Sequence, residues 1–357
     1  MRTKKLKIHI LGGGIIGMST AWHLSSDTEV IVYERDPTYT ESSFARSCGG
    51  FRSQYFTPTN IAMSLYSINF IKKHTNVEFT ANGYLMLFGK NQQKDYEYSY
   101  SLQREIGATT TKLDRTGIID KFKYLDLTDI DCGCVTLDGS EGWLDPVSLH
   151  TWYKQLCQTN GVKFVTGDAI DFDHKEADAI VITSGCWSNE VGKHFGINIP
   201  VRGHKHTVFN VKTSKPVIKN MPLVSDLTTG VYVRPEGEGY IVGYDGNADW
   251  ESNNLDPDYS SWDEVWLHLY RRFPSIFDEA KMVGAWAGYY DSSMIDNNAI
   301  IDNIDNVYFA TGFTGRGLMH SPAVGLTLKE MILNKPLTFD VSNYKLDRVP
   351  NVEKYVI

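Results

Sequence analysis

Three glycines spaced Gly-x-Gly-x-x-Gly are the first residues in this chain whose pattern implies chemistry: Gly12, Gly14 and Gly17, in the run Gly12-Gly13-Gly14-Ile15-Ile16-Gly17. The first permits a tight turn out of a strand, the second lets the backbone approach a pyrophosphate, and the third lets a helix pack closely on the strand. Backbone N–H groups at the start of that helix, those of Ile15 and Ile16 among them, would face the phosphates. Glu34 follows 20 residues after Gly14, with Arg35 beside it, where an acid accepts hydrogen bonds from an adenosine ribose. An acid rather than an arginine there argues against a 2′-phosphate. FAD and NAD both place an ADP half in such a unit, so the glycines alone do not choose between them.

Residues 37–57 are rich in Ser, Gly and Arg. Ser42, Ser43, Arg46, Ser47, Gly49 and Gly50 offer donors and close backbone approach, which suits the rest of a phosphate or a flavin ring. Arg52 follows the Gly49-Gly50 step; its planar fork could hold a carboxylate, or it could form a surface salt bridge. His204 and His206 could serve as acid or base near neutrality, or tie two parts of the fold together by a hydrogen bond. Cys132-Gly133-Cys134 is spaced too closely for a CxxC metal or redox pair, and no metal site is expected.

These residues need elements to hold them. An apolar run at residues 8–11, a helix-like segment at 18–25 and a second apolar run at 30–33 give strand, glycine turn, helix, strand. Residues 59–74 carry apolar positions near helical spacing, and residues 79–88 read as a strand. Residues 92–107 look helical and polar; residues 112–131 look loop-like and charged. Asp145 as cap and Pro146 in the first turn open a helix over 147–159. Strands follow at 163–166 and 179–183, the latter ending in Ser184-Gly185. Beyond Pro200 the segments 201–211, 230–235 and 240–244 are short, β-branched and aromatic, the pattern of an antiparallel sheet. A helix at 263–273, a strand near 306–311 and a final helix at 321–333 complete the chain.

The fold expected is therefore α/β plus α+β: a discontinuous Rossmann-like dinucleotide domain (residues 1–78, 143–200 and 295–357) interrupted by a substrate domain on an antiparallel sheet (79–142 and 201–294). At 357 residues the chain exceeds the size at which single cores usually divide. A net charge of −8 disfavours nucleic acid as the main partner. Five cysteines, an odd number, fit free thiols in a reducing compartment, and the basic N-terminal stretch lacks a long enough apolar run for a secretion signal, so a cytoplasmic location is expected. No stretch approaches the ~20 apolar residues of a membrane span.

With these pieces placed, the chain resembles the D-amino-acid oxidase/sarcosine oxidase (DAO) superfamily of FAD-dependent oxidoreductases nearly end to end. Five stretches carry the likeness in order: ILGGGIIG with Glu34; SFARSCGGFR; GWLDPVSLHTWYKQL; AIVITSGCWSNEV followed by Pro200-Val201-Arg202-Gly203; and AGYYDSSMIDNNAIID with YFATGFTGRGLMHSPAVG. It looks most similar to the branch of proline and opine dehydrogenase β-subunits and mitochondrial FAD-dependent oxidoreductase-domain proteins, on SCGGFRSQY, GVYVRPEG and WAGYYDSSMIDNNAIID.

The resemblance implies an extended FAD with its ADP on Gly12, Gly14, Gly17 and Glu34. A closing loop, Gly312-Phe313-Thr314-Gly315-Arg316-Gly317-Leu318-Met319, would touch the flavin pyrimidine. It implies a small-molecule substrate, an amino acid or N-substituted amino acid or amine, oxidised at the carbon bonded to nitrogen, together with a partner subunit or a homo-oligomer; Arg52 would hold the carboxylate or the flavin edge, with Tyr232, Arg234 and Arg316 as further substrate-site residues. Three departures qualify it. No cysteine follows the segment aligned with residues 284–289, where monomeric sarcosine oxidases attach FAD, so non-covalent FAD is expected. Residues 240–243 read YIVG, without the lysine those enzymes use for oxygen, which favours a dehydrogenase. Arg316 stands where the related loop commonly has histidine. Two other readings stay open: an NAD-dependent dehydrogenase, and a flavin-stabilised assembly or scaffold protein with little turnover.

Overall fold

The apolar run behind the glycines becomes strand Lys7–Leu11, and alternation gives way to continuous burial because the strand is covered on both faces. The computed structural model describes residues 5–250, 252 and 254–356; the first four residues of the basic N-terminal stretch lie outside them. Lys7–Leu11 sits inside a six-stranded sheet ordered Ile300–Ile304, Val307–Thr311, Ala179–Ile182, Lys7–Leu11, Glu29–Glu34, Lys163–Thr166. All neighbours are parallel except the Ile300–Ile304/Val307–Thr311 hairpin. Strand order reverses on either side of Lys7–Leu11, so the crevice beyond its C-terminal end, where Gly12 lies, is where such sheets bind ligands.

Helix Ile15–Ser25 packs against helix Gly317–Ile332 at the distance of their smallest residues: a Cβ on Gly325 would stand 2.4 Å from Ser19 Oγ. Ser19 Oγ also donates to the Ser321 carbonyl at 2.7 Å, which ties the two ends of the chain together.

The second sheet has eight strands, ordered Lys281–Ser293, Val201–Lys212, Gly239–Tyr244, Val231–Glu236, Leu223–Asp226, Tyr84–Gly89, Ile130–Thr136, Thr111–Asp114. Its neighbours are antiparallel, as the short aromatic segments led one to expect, except for the parallel pair Leu223–Asp226 and Tyr84–Gly89. The period of two divides its faces. Phe209, Val211, Val233, Tyr240 and Val242 pack on Val265, Leu269 and Phe277. Helix Trp262–Arg272 is locked there by Arg272, whose guanidinium donates to Asp226 at 2.8 Å and Asp129 at 2.6 Å. The intervening residues point the other way, toward the first sheet.

Three expectations shift. Residues 79–88 are not one strand: Gly83, at φ +84°, separates Phe79–Thr80 from Tyr84–Gly89, which join different sheets. Residues 112–131 are more ordered than their charge suggested, with strand Thr111–Asp114, helix Arg115–Lys121 capped by Asp114 (Oδ1 accepts Gly117 N–H at 2.8 Å), and the start of Ile130–Thr136. The final helix begins at Gly317, a turn earlier than Ser321, and carries Pro322 within its early part. No helix among the described residues is long and apolar enough to cross a membrane.

Candidate active site

Gly12 adopts φ +109°, and a Cβ there would press to 2.7 Å from the Thr183 carbonyl oxygen of the neighbouring strand. Thr183 Oγ1 in turn donates to the Gly12 carbonyl at 2.9 Å, and Ser184 Oγ to that of Leu11 at 2.8 Å. A Cβ on Gly17 would stand 2.0 Å from the Gly12 carbonyl oxygen, whereas nothing lies within 4 Å of the corresponding position at Gly14. Gly14 is also the N-cap of Ile15–Ser25, and no side chain caps it. That helix therefore presents uncapped amides and the positive end of its dipole to open space. Glu34 Oε2 accepts the Gly13 N–H at 2.8 Å and Oε1 that of Asp36 at 2.8 Å. Burial raises its pKa, and these amides work against the rise.

From this turn a groove runs between the two sheets. Gly12, Gly14, Ile15, Ile16, Glu34, Arg35, Arg46, Ser47, Gly50, Ser184, Gly185, Gly315, Gly317, Leu318 and Met319 all line it. The two glycine segments, three hundred residues apart, thus share one groove. Gly317, Leu318 and Met319 are the first turn of the final helix rather than loop, and no side chain caps that N-terminus. A second helix dipole consequently points its positive end into the groove.

Five of the expected site residues do not line the groove. Gly17 acts beneath it, by letting the helix approach the turn. Gly49, at φ +73°, lies against Leu144, where a Cβ would be 2.0 Å from the carbonyl oxygen. Gly312, at φ +70°, packs on Val201 and Ser293. Arg234 donates to the Cys48 carbonyl at 2.9 Å and pairs with Glu236, with its guanidinium 4.8 Å from the Trp143 ring centre. Arg316 is 2% exposed and donates to the carbonyls of Asn297 and Thr314. Neither arginine lines the groove, and backbone carbonyls hold each where it is, so neither offers its fork to a ligand there. Arg35 stacks over Trp187 at 4.1 Å, and Arg46 Nη1 donates to the Ala287 carbonyl at 2.9 Å; these two rim the groove while fixing its walls.

The eight-stranded sheet closes the groove with Tyr84, His206, Val208, Tyr232 and Tyr290, while Arg52 enters from the segment after Gly50. Arg52 is 4% exposed, yet among the described residues no carboxylate lies within 4 Å of its guanidinium. It donates to the carbonyls of Gln54 at 2.5 Å and Tyr355 at 3.2 Å. Glu141 steadies that segment: it is fully buried and accepts the Ser53 N–H at 2.6 Å and the Gln54 side-chain amide at 2.9 Å. Tyr232 O–H meets Cys48 Sγ at 3.4 Å, and burial holds both groups protonated. His206 stacks on Tyr290 with ring centres 4.1 Å apart; burial and the neighbouring His204 lower its pKa to about 3, so it is a neutral imidazole. Asp291 also lines the groove; burial pushes its pKa up to about 6 against the pull of the Phe313 and Gly312 amides. Tyr84, Tyr290 and Asp291 escaped the sequence reading because they carry no spacing signature; the YYDSS string was noticed only as a likeness.

A parallel sheet with a glycine turn at its switch point, a groove leading to a second helix N-terminus, and a largely antiparallel sheet roofing that groove define a dinucleotide-binding α/β protein with a second sheet built onto it. The family model DAO, described as FAD dependent oxidoreductase, matches residues 7–331, and the chain belongs to that family. Its cofactor is accordingly FAD rather than NAD. The residues fit it: Gly14 leaves room at an uncapped helix N-terminus, Glu34 faces the ribose position, and the groove is continuous to the second N-terminus. The chain is 30% identical to the FAD-dependent oxidoreductase domain-containing protein 1 homolog of Drosophila melanogaster, over 95% of this chain and 78% of that one. It is 24% identical to the mitochondrial dimethylglycine dehydrogenase of Mus musculus, over 93% of this chain and 43% of that one. Among solved structures, L-proline dehydrogenase from P. horikoshii superposes with a TM-score of 0.85 at 24% identity, covering 96% of this chain and 97% of the other. Glycine oxidase from Geobacillus kaustophilus does so with 0.81 at 16% identity, covering 98% and 100%.

Proposed function

We propose that this protein oxidises an amino acid or N-substituted amino acid at the carbon bonded to nitrogen, giving an imine that water hydrolyses. The observation that carries the reading is Arg52: a buried guanidinium, lining the groove, with no carboxylate partner among the described residues. An uncompensated buried charge is costly, and a ligand carboxylate in its planar fork removes that cost. When bound, FAD supplies the hydride acceptor. Arg52 holds the substrate carboxylate; Tyr84, Tyr232 and Tyr290 exclude water and fix the substrate's C–H relative to the groove floor. The uncapped Gly317 N-terminus favours negative charge at the far end of the groove. The names of the dimethylglycine, proline and glycine enzymes it resembles agree with an amino-acid substrate.

FAD is held without a covalent bond: Cys48, the cysteine on the groove wall, is a protonated thiol bonded to Tyr232, a poor nucleophile. No lysine lines the groove among the described residues, which favours an electron acceptor other than oxygen, such as a partner subunit. Anaerobic bleaching of the flavin absorbance across amino acids and N-methyl amino acids tests the proposal. Bleaching by one of them, lost in Arg52→Ala, is the expected result. A yellow protein that no amine bleaches would instead be a flavin-stabilised scaffold.

A further inference from the structure

Trp250 is 38% exposed, yet one face of its indole lies on the imidazole of His204, with ring centres 3.6 Å apart and the planes within 14°. His204 in turn meets His206 edge-on at 4.4 Å, with His206 Nε2 3.3 Å from His204 Nδ1. His206 stacks on Tyr290. Strand alternation produces this series: His204 and His206 are two residues apart on Val201–Lys212 and share its face with Val208, while Tyr290 is in register with His204 on Lys281–Ser293. His206, Val208 and Tyr290 line the groove. Trp250 follows Asp249, whose backbone bridge to Lys205 lays this segment along the same strand. Four rings in contact thus lead from the groove to the surface.

The inner end touches the closing turn. A Cβ on Gly315 would stand 2.8 Å from the Tyr290 ring, so Tyr290 rests on the turn that leads into the second helix N-terminus. Burial lowers the pKa of His204 to about 4 and that of His206 to about 3, so both imidazoles are neutral and put no fixed charge along the series. His204 Nε2 is buried without a hydrogen-bond partner among the described residues; an apolar side chain would fill that place without leaving a nitrogen unpaired. The outer end is acidic. Residues 245–264, with Trp250 among them, hold seven acidic residues and neither lysine nor arginine, against Arg202 and Lys205 on the adjacent strand.

We propose that the series Tyr290, His206, His204, Trp250 is the electron exit of this protein, and that Trp250 is where a one-electron carrier protein with a basic face docks. Electron tunnelling weakens steeply with every gap between packed groups, and here each gap is a contact between π-systems; the rings are the medium and are not themselves oxidised. The inference rests on the reading above in taking bound flavin as the holder of the substrate's electrons, and it deepens that reading by giving the class of the acceptor. For each substrate oxidised, two dockings remove the two electrons of the hydride, each reducing one acceptor by one electron, and the hydride's proton passes to water. An exposed indole in an acidic segment offers such a partner an apolar centre and an attractive field.

The test uses the full chain with FAD, reduced anaerobically by light and EDTA so that no amine is needed, and then mixed with cytochrome c as a basic one-electron acceptor. Return of the flavin absorbance is expected to quicken with cytochrome c concentration and to slow as salt rises. Trp250→Ala and His204→Leu should each slow it by about tenfold or more, and Trp250→Phe, which keeps a ring on His204, should recover most of the rate. Reoxidation by dissolved oxygen, small enough to enter the groove, should stay within about twofold in all three variants. An unchanged cytochrome c rate in Trp250→Ala, equal slowing with oxygen and with cytochrome c, or a wild type that cytochrome c does not reoxidise overturns the exit. If the photoreduced protein passes electrons through Trp250 while no amino acid bleaches the oxidised flavin, the exit stands and the amino-acid reading falls.

Discussion

The guanidinium of Arg52 lies 4.2 Å from the centre of the Tyr55 ring, a fully buried aromatic that gives the charge a face to rest on where no acid among the described residues pairs with it. A planar guanidinium can lie flat on the ring while its two amino groups donate to the Gln54 and Tyr355 carbonyls, which the single nitrogen of a lysine ammonium cannot reproduce. Arg52→Lys should therefore keep the charge but lose the fork. We expect the amino-acid concentration that half-saturates flavin bleaching to rise at least tenfold, about 1.4 kcal/mol of binding, with the flavin spectrum unchanged. Unaltered half-saturation would place the substrate carboxylate elsewhere.

Gly14 and Gly17 belong to one motif yet should fail in different ways. A methyl group at Gly17 meets the Gly12 carbonyl oxygen at 2.0 Å, and the helix cannot back away without leaving Ser321 and Gly325. Gly17→Ala is expected to lower the thermal midpoint of the protein even with its FAD removed. A methyl at Gly14 meets nothing of the chain but projects into the phosphate position. Gly14→Ala should leave the apoprotein's midpoint within a degree or so and weaken FAD binding, measured by quenching of flavin fluorescence. Identical behaviour of the two variants would contradict the division of labour between them.

The contrast explains what the sequence made legible. The glycine turn, its helix and Glu34 were readable because phosphate binding at a helix N-terminus imposes fixed spacing on adjacent residues. The antiparallel segments after Pro200 were readable because short β-branched and aromatic runs are divided by turn residues such as Gly237 and Gly239. The helix starting at Gly317 was placed late because glycines and Pro322 mask its first turn. Arg234 and Arg316 looked like ligand groups because sequence shows a charge but not the backbone carbonyls that consume it.

Asp245, the first residue of the turn that follows strand Gly239–Tyr244, should make stability depend on pH. Its folded pKa of about 7 lies above the ordinary carboxyl value of 3.8, so the folded protein binds this proton more tightly than the unfolded chain. Its contribution is most favourable at low pH and is lost as pH rises from about 4 through 7, because ionisation then has to occur in a partly buried site. Asp245→Asn removes that loss. Without substrate, the variant should gain stability over wild type on going from pH 5 to pH 8, by on the order of 2 kcal/mol. Denaturation midpoints of both proteins at the two pH values measure it, and a constant difference would mean the carboxylate has a partner in the folded chain.

Arg316 provides the counterpart to Arg52, since both are buried arginines near Tyr55 but only one reaches the groove. Its bonds to the Asn297 and Thr314 carbonyls hold the turn that precedes Gly317 against the end of the substrate strand, where Thr314 N–H donates to the Asp291 carbonyl at 3.0 Å. Arg316→Met keeps most of the volume and leaves those carbonyls without donors, at about 1–3 kcal/mol for a buried acceptor. The thermal midpoint should fall by several degrees and FAD should bind more weakly, because the second helix N-terminus loses its anchor. Half-saturation by the amino acid should hold within about twofold once the protein is loaded with FAD. A variant with an unchanged midpoint and a tenfold weaker substrate response would reverse this assignment and put Arg316 back on the substrate.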